Sequence, residues 1–490
     1  MGDRPTVGLQ NLDLRIGVRI PVSQPTSFSH AQTARPIDFL HCRPRSNSVE
    51  PVQKNTPSSR EARIAAGRKF RARISRISQA ELAHPKRNFD PVKLLLESDE
   101  GRLPKLLPRK YELMAVSPFG YFRGAVAAMA ADLARLPHSG INVQLCGDAH
   151  VQNLGSFAAP NGSLVFDFND FDETIPGPWE WDVKRMATSI VLAGRESGHK
   201  PGACQQAAAD FVENYRRFVQ EFSSLPILEV ARHQIHREER IQPVSAALKQ
   251  SRRASPNEAM KAMLEPDSAG KLRFRDGRPA FWRVKPSEAK PVLESLEAYR
   301  HSLRPESRHL FDLFRPFDVA FKVVGTGSVG LRDYVVAMEG NSAADPLFLQ
   351  IKQEMPSAYA RYLHAGPVQN EGKRTAEGQR SVQPLSDLLL GWTSIGGNDF
   401  LVRQMNDHKG RIELADLRRD GLKSLANVAG ELLARGHARS GDACLIAGYC
   451  GSGSNIAKAI ARFAVDYADL TESDYKAFVA RKSERVSSSG

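Results

Sequence analysis

Hydrophobic positions along the chain recur at two spacings. At three- and four-residue intervals, Phe211, Tyr215, Phe218 and Phe222 mark one buried helical stripe. Leu422, Leu425, Ala429, Leu432 and Leu433 mark a second, and Ile456, Ile460, Phe463, Tyr467 and Leu470 a third. An Ala-rich helix is expected from Gly124 to Arg135, another opens at Trp181, and helical text fills 371–390. Ser59–Leu82 reads as a basic helix, with Ile64, Phe70, Ile74 and Ile77 between arginines. Short apolar runs predict strands at Val143–Leu145, Val319–Val324, Tyr334–Met338, Leu347–Lys352 and Phe400–Met405. Residues 235–310 are charged and helical in tendency and show no recognisable chemistry.

Composition narrows the class. With 490 residues, 41% of them hydrophobic, the chain can bury a large core. No apolar run is long enough to cross a bilayer, and the first residues lack the continuous apolar stretch of a signal peptide, so a cytoplasmic protein is expected. Five scattered cysteines without a Cys-x-x-Cys pair point to reduced thiols rather than disulfides or zinc. The net charge of +13 is concentrated at one end, because residues 1–110 hold 21 Lys/Arg against 10 Asp/Glu. Residues 1–60 are rich in Pro, Ser, Gln and Arg and read as a disordered basic arm. Nucleic acid is a conceivable partner through that arm alone.

Candidate chemistry is concentrated in Gly147-Asp148-Ala149-His150-Val151-Gln152-Asn153 and in the acidic run Asp167-Phe168-Asn169-Asp170-Phe171-Asp172. Phosphoryl transfer needs a carboxylate for the nucleophile and oxygen ligands for magnesium on adjacent segments. A second cluster, Gly325-Thr326-Gly327-Ser328-Val329-Gly330, lies between two expected strands, and the third strand ends at Lys352. A glycine turn between strands lets backbone N–H groups approach phosphates, whereas a dinucleotide fingerprint would open a helix.

The Asp-x-x-x-x-Asn spacing resembles the catalytic loop of the protein kinase and aminoglycoside phosphotransferase superfamily, with Cys146 where the usual His stands. That resemblance implies Asp148 as base or orienter, and Asn153 with Asp167 as magnesium ligands; Asp170 and Asp172 compete for the latter role. It also implies a phosphate lid at Gly325, Thr326, Gly327, Ser328 and Gly330, with Lys352 on ATP. Glu377 is the preferred helix glutamate for that lysine over Glu371, and Asn406 and Asp407 would lie near the hinge. Asp182 resembles the later Asp that braces the catalytic loop. The glycine cluster follows the catalytic loop by about 175 residues rather than preceding it. A two-lobed α+β fold, helix-rich and circularly permuted, is therefore expected. The helix around Leu422–Arg439 resembles the one that normally precedes the catalytic loop, and Ala127–Leu136, directly before that loop in the chain, matches it equally.

Longer stretches also resemble an uncharacterised bacterial family catalogued as domain of unknown function 2252. They are Ser117–Gly124, Gln144–His150, Val165–Thr174, Gly177–Arg185, Gly325–Gly330, Asp345–Lys352 and His437–Asp442. The expected layout is an arm over 1–60, a helical lobe with the catalytic and metal loops over 61–310, and a sheet lobe over 311–410. Helices completing the large lobe follow over 411–482, then a frayed tail over 483–490. The leading functional expectation is an ATP/Mg-dependent phosphotransferase acting on a small-molecule hydroxyl, with AMP transfer possible on the same fold. The alternatives are a metal-dependent phosphohydrolase built from Asp148, His150, Asp167, Asp170 and Asp172, or a non-catalytic nucleotide-binding pseudokinase or basic-arm adaptor.

Overall fold

A computed structural model describes residues 58–82, 87–235, 241–254, 256–323, 325, 327–363, 366–405 and 409–487. Residues Pro57–Gly490 form one compact unit. The basic arm expected over 1–60 lies outside the described residues up to 57, as do Thr326 and the hinge candidates Asn406 and Asp407. The fold is α+β, 54% helical and 16% strand. No described helix is long and apolar enough to cross a membrane.

One hydrophobic core is made by helices. Trp179–Glu196 runs through its centre and is buried on nearly every side. Pro201–Phe222, carrying the Phe211/Tyr215/Phe218/Phe222 stripe, packs against Gly421–Ser440 and against Asn455–Ser487. Trp179 stacks on Tyr215 with ring centroids 5.4 Å apart. The terminal helix continues through Ser487, so residues 483–487 extend it where a frayed tail was expected. The Ala-rich segment divides at Gly124: Pro118–Gly124 is capped by Ser117, and Val126–Leu133 follows after Ala125 leaves helical geometry. The basic segment is a helix over Arg60–Arg73 that stops at extended Ile74, and Ile77–Ala80 is a separate short turn of 3₁₀ helix.

The second core lies under a six-stranded antiparallel sheet. In spatial order its strands are Gly391–Ile395, Asn398–Gln404, Pro346–Glu354, Asp333–Glu339, Arg315–Lys322 and Phe281–Arg283. The sheet therefore starts before residue 311, and residues 281–310 belong with it rather than with the helical lobe. Alternation decides the faces. Val319, Phe321, Val336, Leu349 and Ile351 join one core with helix Pro286–Ser302, while Ala320, Val335, Ala337 and Phe348 face the other way. On that second face the Pro346–Glu354 strand also carries Gln350, Lys352 and Glu354.

Helix Glu371–Val382 packs against strand Asn398–Gln404 on one side and helix Gly421–Ser440 on the other. Asn370 caps it by accepting from the Lys373 N–H at 2.8 Å, and Asp399 accepts from the Glu371 N–H at 2.9 Å, tying the helix to the neighbouring strand. Two short strands, Asn142–Leu145 and Ile175–Pro178, pair antiparallel and bracket the catalytic and acidic segments. Between them Leu154–Ala158 and Leu164–Phe168 form a hairpin.

Candidate active site at the lobe interface

The Asp148 loop is positioned by hydrogen bonds to its backbone. The Asp182 carboxylate, in the first turn of Trp179–Glu196, accepts from the N–H groups of Cys146 (2.6 Å) and Gly147 (2.9 Å) and lies 3.3 Å from His437 Nε2. Gly147 has φ 82°, and a Cβ there would stand 2.1 Å from the Glu173 carbonyl oxygen. Only glycine lets the loop pass so close beneath the acidic segment. Tyr359 donates to the Gly147 carbonyl at 2.8 Å.

Asp148 Oδ1 accepts from Arg185 Nε at 2.7 Å, and the Arg185 guanidinium lies over the Phe122 ring, 4.3 Å from its centroid. The other carboxylate oxygen is 3.6 Å from His150 Nε2. Burial pushes His150 down to about 3, so it is neutral, and its Nδ1 accepts from the Asn153 N–H. His150 is thus a loop-shaping residue. Asn153 donates from its amide nitrogen to the Asp148 carbonyl at 2.7 Å.

Three acidic candidates separate in space. Asp167, on the hairpin strand, is buried and paired with Arg435 at 2.5 Å, and it does not line the cleft. Its expected role as a metal ligand is corrected on that ground: the side chain faces helix Gly421–Ser440. Asp170 and Asp172 do line the cleft, with Lys352 Nζ 2.6 Å from Asp172 Oδ1 and 3.5 Å from Asp170. Burial opposes the charge on Lys352, but Asp170 and Asp172 outweigh it and hold the amine above the ordinary lysine range. Burial and the neighbouring Asp172 raise Asp170 to about 6. At Asp172 burial also works against the charge, yet Lys352 and the Asp170 hydrogen bond more than offset it, and the carboxyl lies below the usual range.

The glycine turn closes over this group. Gly325, Gly327 and Ser328 line the same cleft as Asp148, Asn153, Asp170 and Asp172, and Ser328 Oγ donates to Asp172 at 3.1 Å. A Cβ on Gly327 would lie 3.8 Å from the Arg123 carbonyl. Gly330 (φ 97°) sits against Arg102, which donates to the Val329 carbonyl at 2.7 Å. The cleft encloses a cavity of about 80 Å³. Arg123 faces Asp148 and Asp170, and its Nε has no hydrogen-bond partner.

Glu377 is not part of the site. It is exposed, 3.9 Å from Lys373 on its own helix, and the partners of Lys352 come from the acidic segment instead. Glu371 is likewise engaged locally, with Arg374. Among the described residues no three His, Cys, Asp or Glu side chains converge as a metal cage.

A family model described as an uncharacterized protein conserved in bacteria, DUF2252, matches residues 102–481. The chain belongs to the DUF2252 family. No curated protein and no solved structure matches it.

The matched span of this DUF2252 protein begins at Arg102, which supports the glycine turn, and includes every cleft residue named above. Several cleft groups were not singled out in the sequence. Arg185 falls three residues after Asp182, hence on the same helix face, which is a readable signal. Glu173 and Glu354 gave none. Glu354 is buried, accepts from Thr375 Oγ1 at 3.0 Å through one oxygen, and leaves the other unpartnered. Burial, then Asp172, push the Glu354 carboxyl of this DUF2252 protein well above the ordinary range, against the opposing influence of Lys352.

Proposed function

We propose that the protein is an ATP- and magnesium-dependent phosphotransferase with a two-lobed, circularly permuted kinase-like fold, acting on a small-molecule hydroxyl. The observation that carries this reading is the contact of Lys352 and Ser328 with Asp172 beneath the glycine turn. It brings a phosphate lid, a lysine and an acidic segment into one cleft. The order of parts agrees with kinases, in which a glycine-loop hairpin is followed by a lysine on the third strand and then by a helix on the sheet. Permutation draws support from the join opposite. Helix Gly421–Ser440 ends against the strand that enters the Asp148 loop: Ser440 Oγ accepts from the Gln144 N–H at 3.1 Å, and a Cβ on Gly441 would lie 3.0 Å from the Asn142 carbonyl. Segments consecutive in an ordinary kinase are neighbours here without being joined.

Magnesium commonly takes one or two protein carboxylates and completes its shell with water and phosphate oxygens. Asn153, Asp170 and Asp172 fit that demand without a full protein cage. Once held there, the ion would neutralise charge on the transferring phosphoryl group. Asp148 offers Oδ2 to the acceptor hydroxyl and orients it, since Oδ1 is taken by Arg185. Arg123, with its unpartnered nitrogen, offers a further cation to phosphate oxygens.

A nucleotide-binding role without catalysis is the second reading, and it is favoured by Glu377 turning toward Lys373 instead of Lys352. The phosphohydrolase alternative loses a ligand, because Asp167 is spent on Arg435. Thermal unfolding with ATP and magnesium tests the proposal. Wild type is expected to be stabilised, Lys352→Met and Asp172→Asn to lose the effect, and radiolabel from γ-phosphate to reach a hydroxyl acceptor. A wild-type chain whose Tm ignores ATP and magnesium would contradict it.

A further inference from the structure

Behind the cleft lies a second cavity of about 40 Å³, lined by Asn169, Gln379, Gln383, Asp387, Arg403 and Lys409. Asn169 precedes the cleft residue Asp170, and Arg403 donates through Nε to Gln350, two positions before Lys352, at 3.1 Å. The cavity is therefore adjacent to the cleft but separately lined.

Its polar groups are unbalanced in a particular way. Among the described residues Arg403 bonds only neutral partners, Gln350 and the Asn169 carbonyl at 3.0 Å, and Lys409 makes no hydrogen bond or ion pair. The one described carboxylate that lines the cavity, Asp387, spends one oxygen on the Leu389 N–H (2.8 Å) and the other on the Gln404 N–H (2.6 Å). Burial, then Arg403 and Lys322, push Lys409 down to about 7, as expected of an amine next to uncompensated positive charge. On the opposite wall Gln379 donates to Gln383 at 2.9 Å, and its Oε1 is buried with no donor. Two cations thus want an anion, and one buried amide oxygen wants a donor.

We propose that this cavity binds a small carboxylate bearing a hydroxyl or amino donor, its carboxylate held by Arg403 and Lys409 and its donor by Gln379. The site is independent of the nucleotide reading, since none of its three contact residues belongs to the phosphate cleft. Binding there would immobilise Gln379 on helix Glu371–Val382 and the Arg403 bridge to Asn169, next to Asp170. A ligand of this kind would therefore act as an effector and not as the acceptor.

Isothermal titration calorimetry at pH 7 with lactate, serine and acetate tests it, with thermal unfolding as the control for folding. Lactate or serine should bind the wild type, and acetate, which lacks the donor, should bind about tenfold more weakly or not at all. Lys409→Met and Gln379→Leu should each weaken the binding by about tenfold or more. Lys409→Met removes a buried charge with no hydrogen-bond or ion-pair partner among the described residues, so that variant should fold at least as stably as wild type. The proposal fails if neither lactate nor serine binds the wild type, if acetate matches them, or if either variant keeps wild-type affinity.

Discussion

Lys352 and Asp172, 180 positions apart in the chain, meet at 2.6 Å, with the amine on the sheet and the carboxylate on the segment that follows the catalytic loop. The same carboxylate accepts from Ser328 of the glycine turn. One acidic side chain therefore holds both the lysine and the lid. The amine is almost wholly buried, at 3% exposure, so its charge depends on this partner. A phosphate entering beneath the turn would replace Asp172 as the lysine's counter-ion and release that carboxylate to a metal.

The costs of removing the two members of this pair should not add. Lys352→Met leaves Asp170 and Asp172 facing each other without the amine bonded to them, and Asp172→Asn leaves a buried ammonium short of charge. Each single variant is expected to lose about 2–4 kcal/mol in urea unfolding, and the double variant less than the sum of the two. Additive losses would show that the pair is uncoupled.

Asp167 and Asp170 should behave oppositely although they lie three residues apart. Asp167→Asn leaves the buried Arg435 uncompensated and should cost about 3–5 kcal/mol of stability. At temperatures where it remains folded, its response to ATP and magnesium should match wild type. Asp170→Asn should not cost stability at pH 7, because burial and Asp172 disfavour the charge that it removes. It should nevertheless abolish the magnesium-dependent part of the response. Thermal unfolding of both variants with ATP, with and without magnesium, separates the two outcomes.

The difficulty of choosing among Asp167, Asp170 and Asp172 shows what the sequence can carry. The glycine turn, the strand ending near Lys352 and the Asp148–Asn153 loop were legible because each is local: spacing and alternation define it. Asp182 was legible as a brace because its motif is long. Which acid meets the lysine is a tertiary matter, decided by the hairpin that turns Asp167 toward Arg435, 268 positions away. Glu377 illustrates the same limit, since a helix was expected there correctly but its rotation about its own axis was not. The strands at Phe281–Arg283 and Gly391–Ile395 were missed because runs of three to five residues carry little periodicity. The buried Glu354 was unreadable, because nothing in the sequence announces a buried carboxyl with one oxygen left unpartnered.

Asp182 should hold the catalytic loop without taking part in chemistry. Its carboxylate satisfies two buried N–H groups, so Asp182→Ala should cost about 3 kcal/mol, leaving both donors unsatisfied. Hydrogen exchange at the Cys146 and Gly147 amides should accelerate by about tenfold or more beyond the change in global stability. Asp182→Asn, which keeps one acceptor oxygen, should restore part of the protection. Equal exchange in the wild type and Asp182→Ala would show that the loop is held by other contacts, such as the Tyr359 hydroxyl.

Asp333 governs a pH effect whose sign follows from its position. It lies on the strand beside Lys352's, is 3% exposed, and accepts from Gln350 Nε2 at 2.7 Å, while its other oxygen has no partner. Burial raises it to about 6 against the opposing influence of Lys352. A carboxyl whose folded value exceeds its unfolded value of about 3.9 takes up protons on folding between about pH 4 and 6. Stability is therefore greatest below that window, falls as pH rises through it, and levels off above about 6 as far as this group is concerned. Asp170, Glu173 and Glu354 act in the same direction, so Asp333 is one of several sources of the wild-type slope. Asp333→Asn keeps the oxygen that Gln350 needs and removes the charge. It should stabilise the protein at pH 7 by about 2–3 kcal/mol, have little effect at pH 4, and make the slope between them shallower. Urea unfolding at pH 4, 5, 6 and 7 for both proteins measures this directly, and a destabilised Asp333→Asn at pH 7 would mean that the ionised carboxylate is held by the cations around it more strongly than burial opposes it.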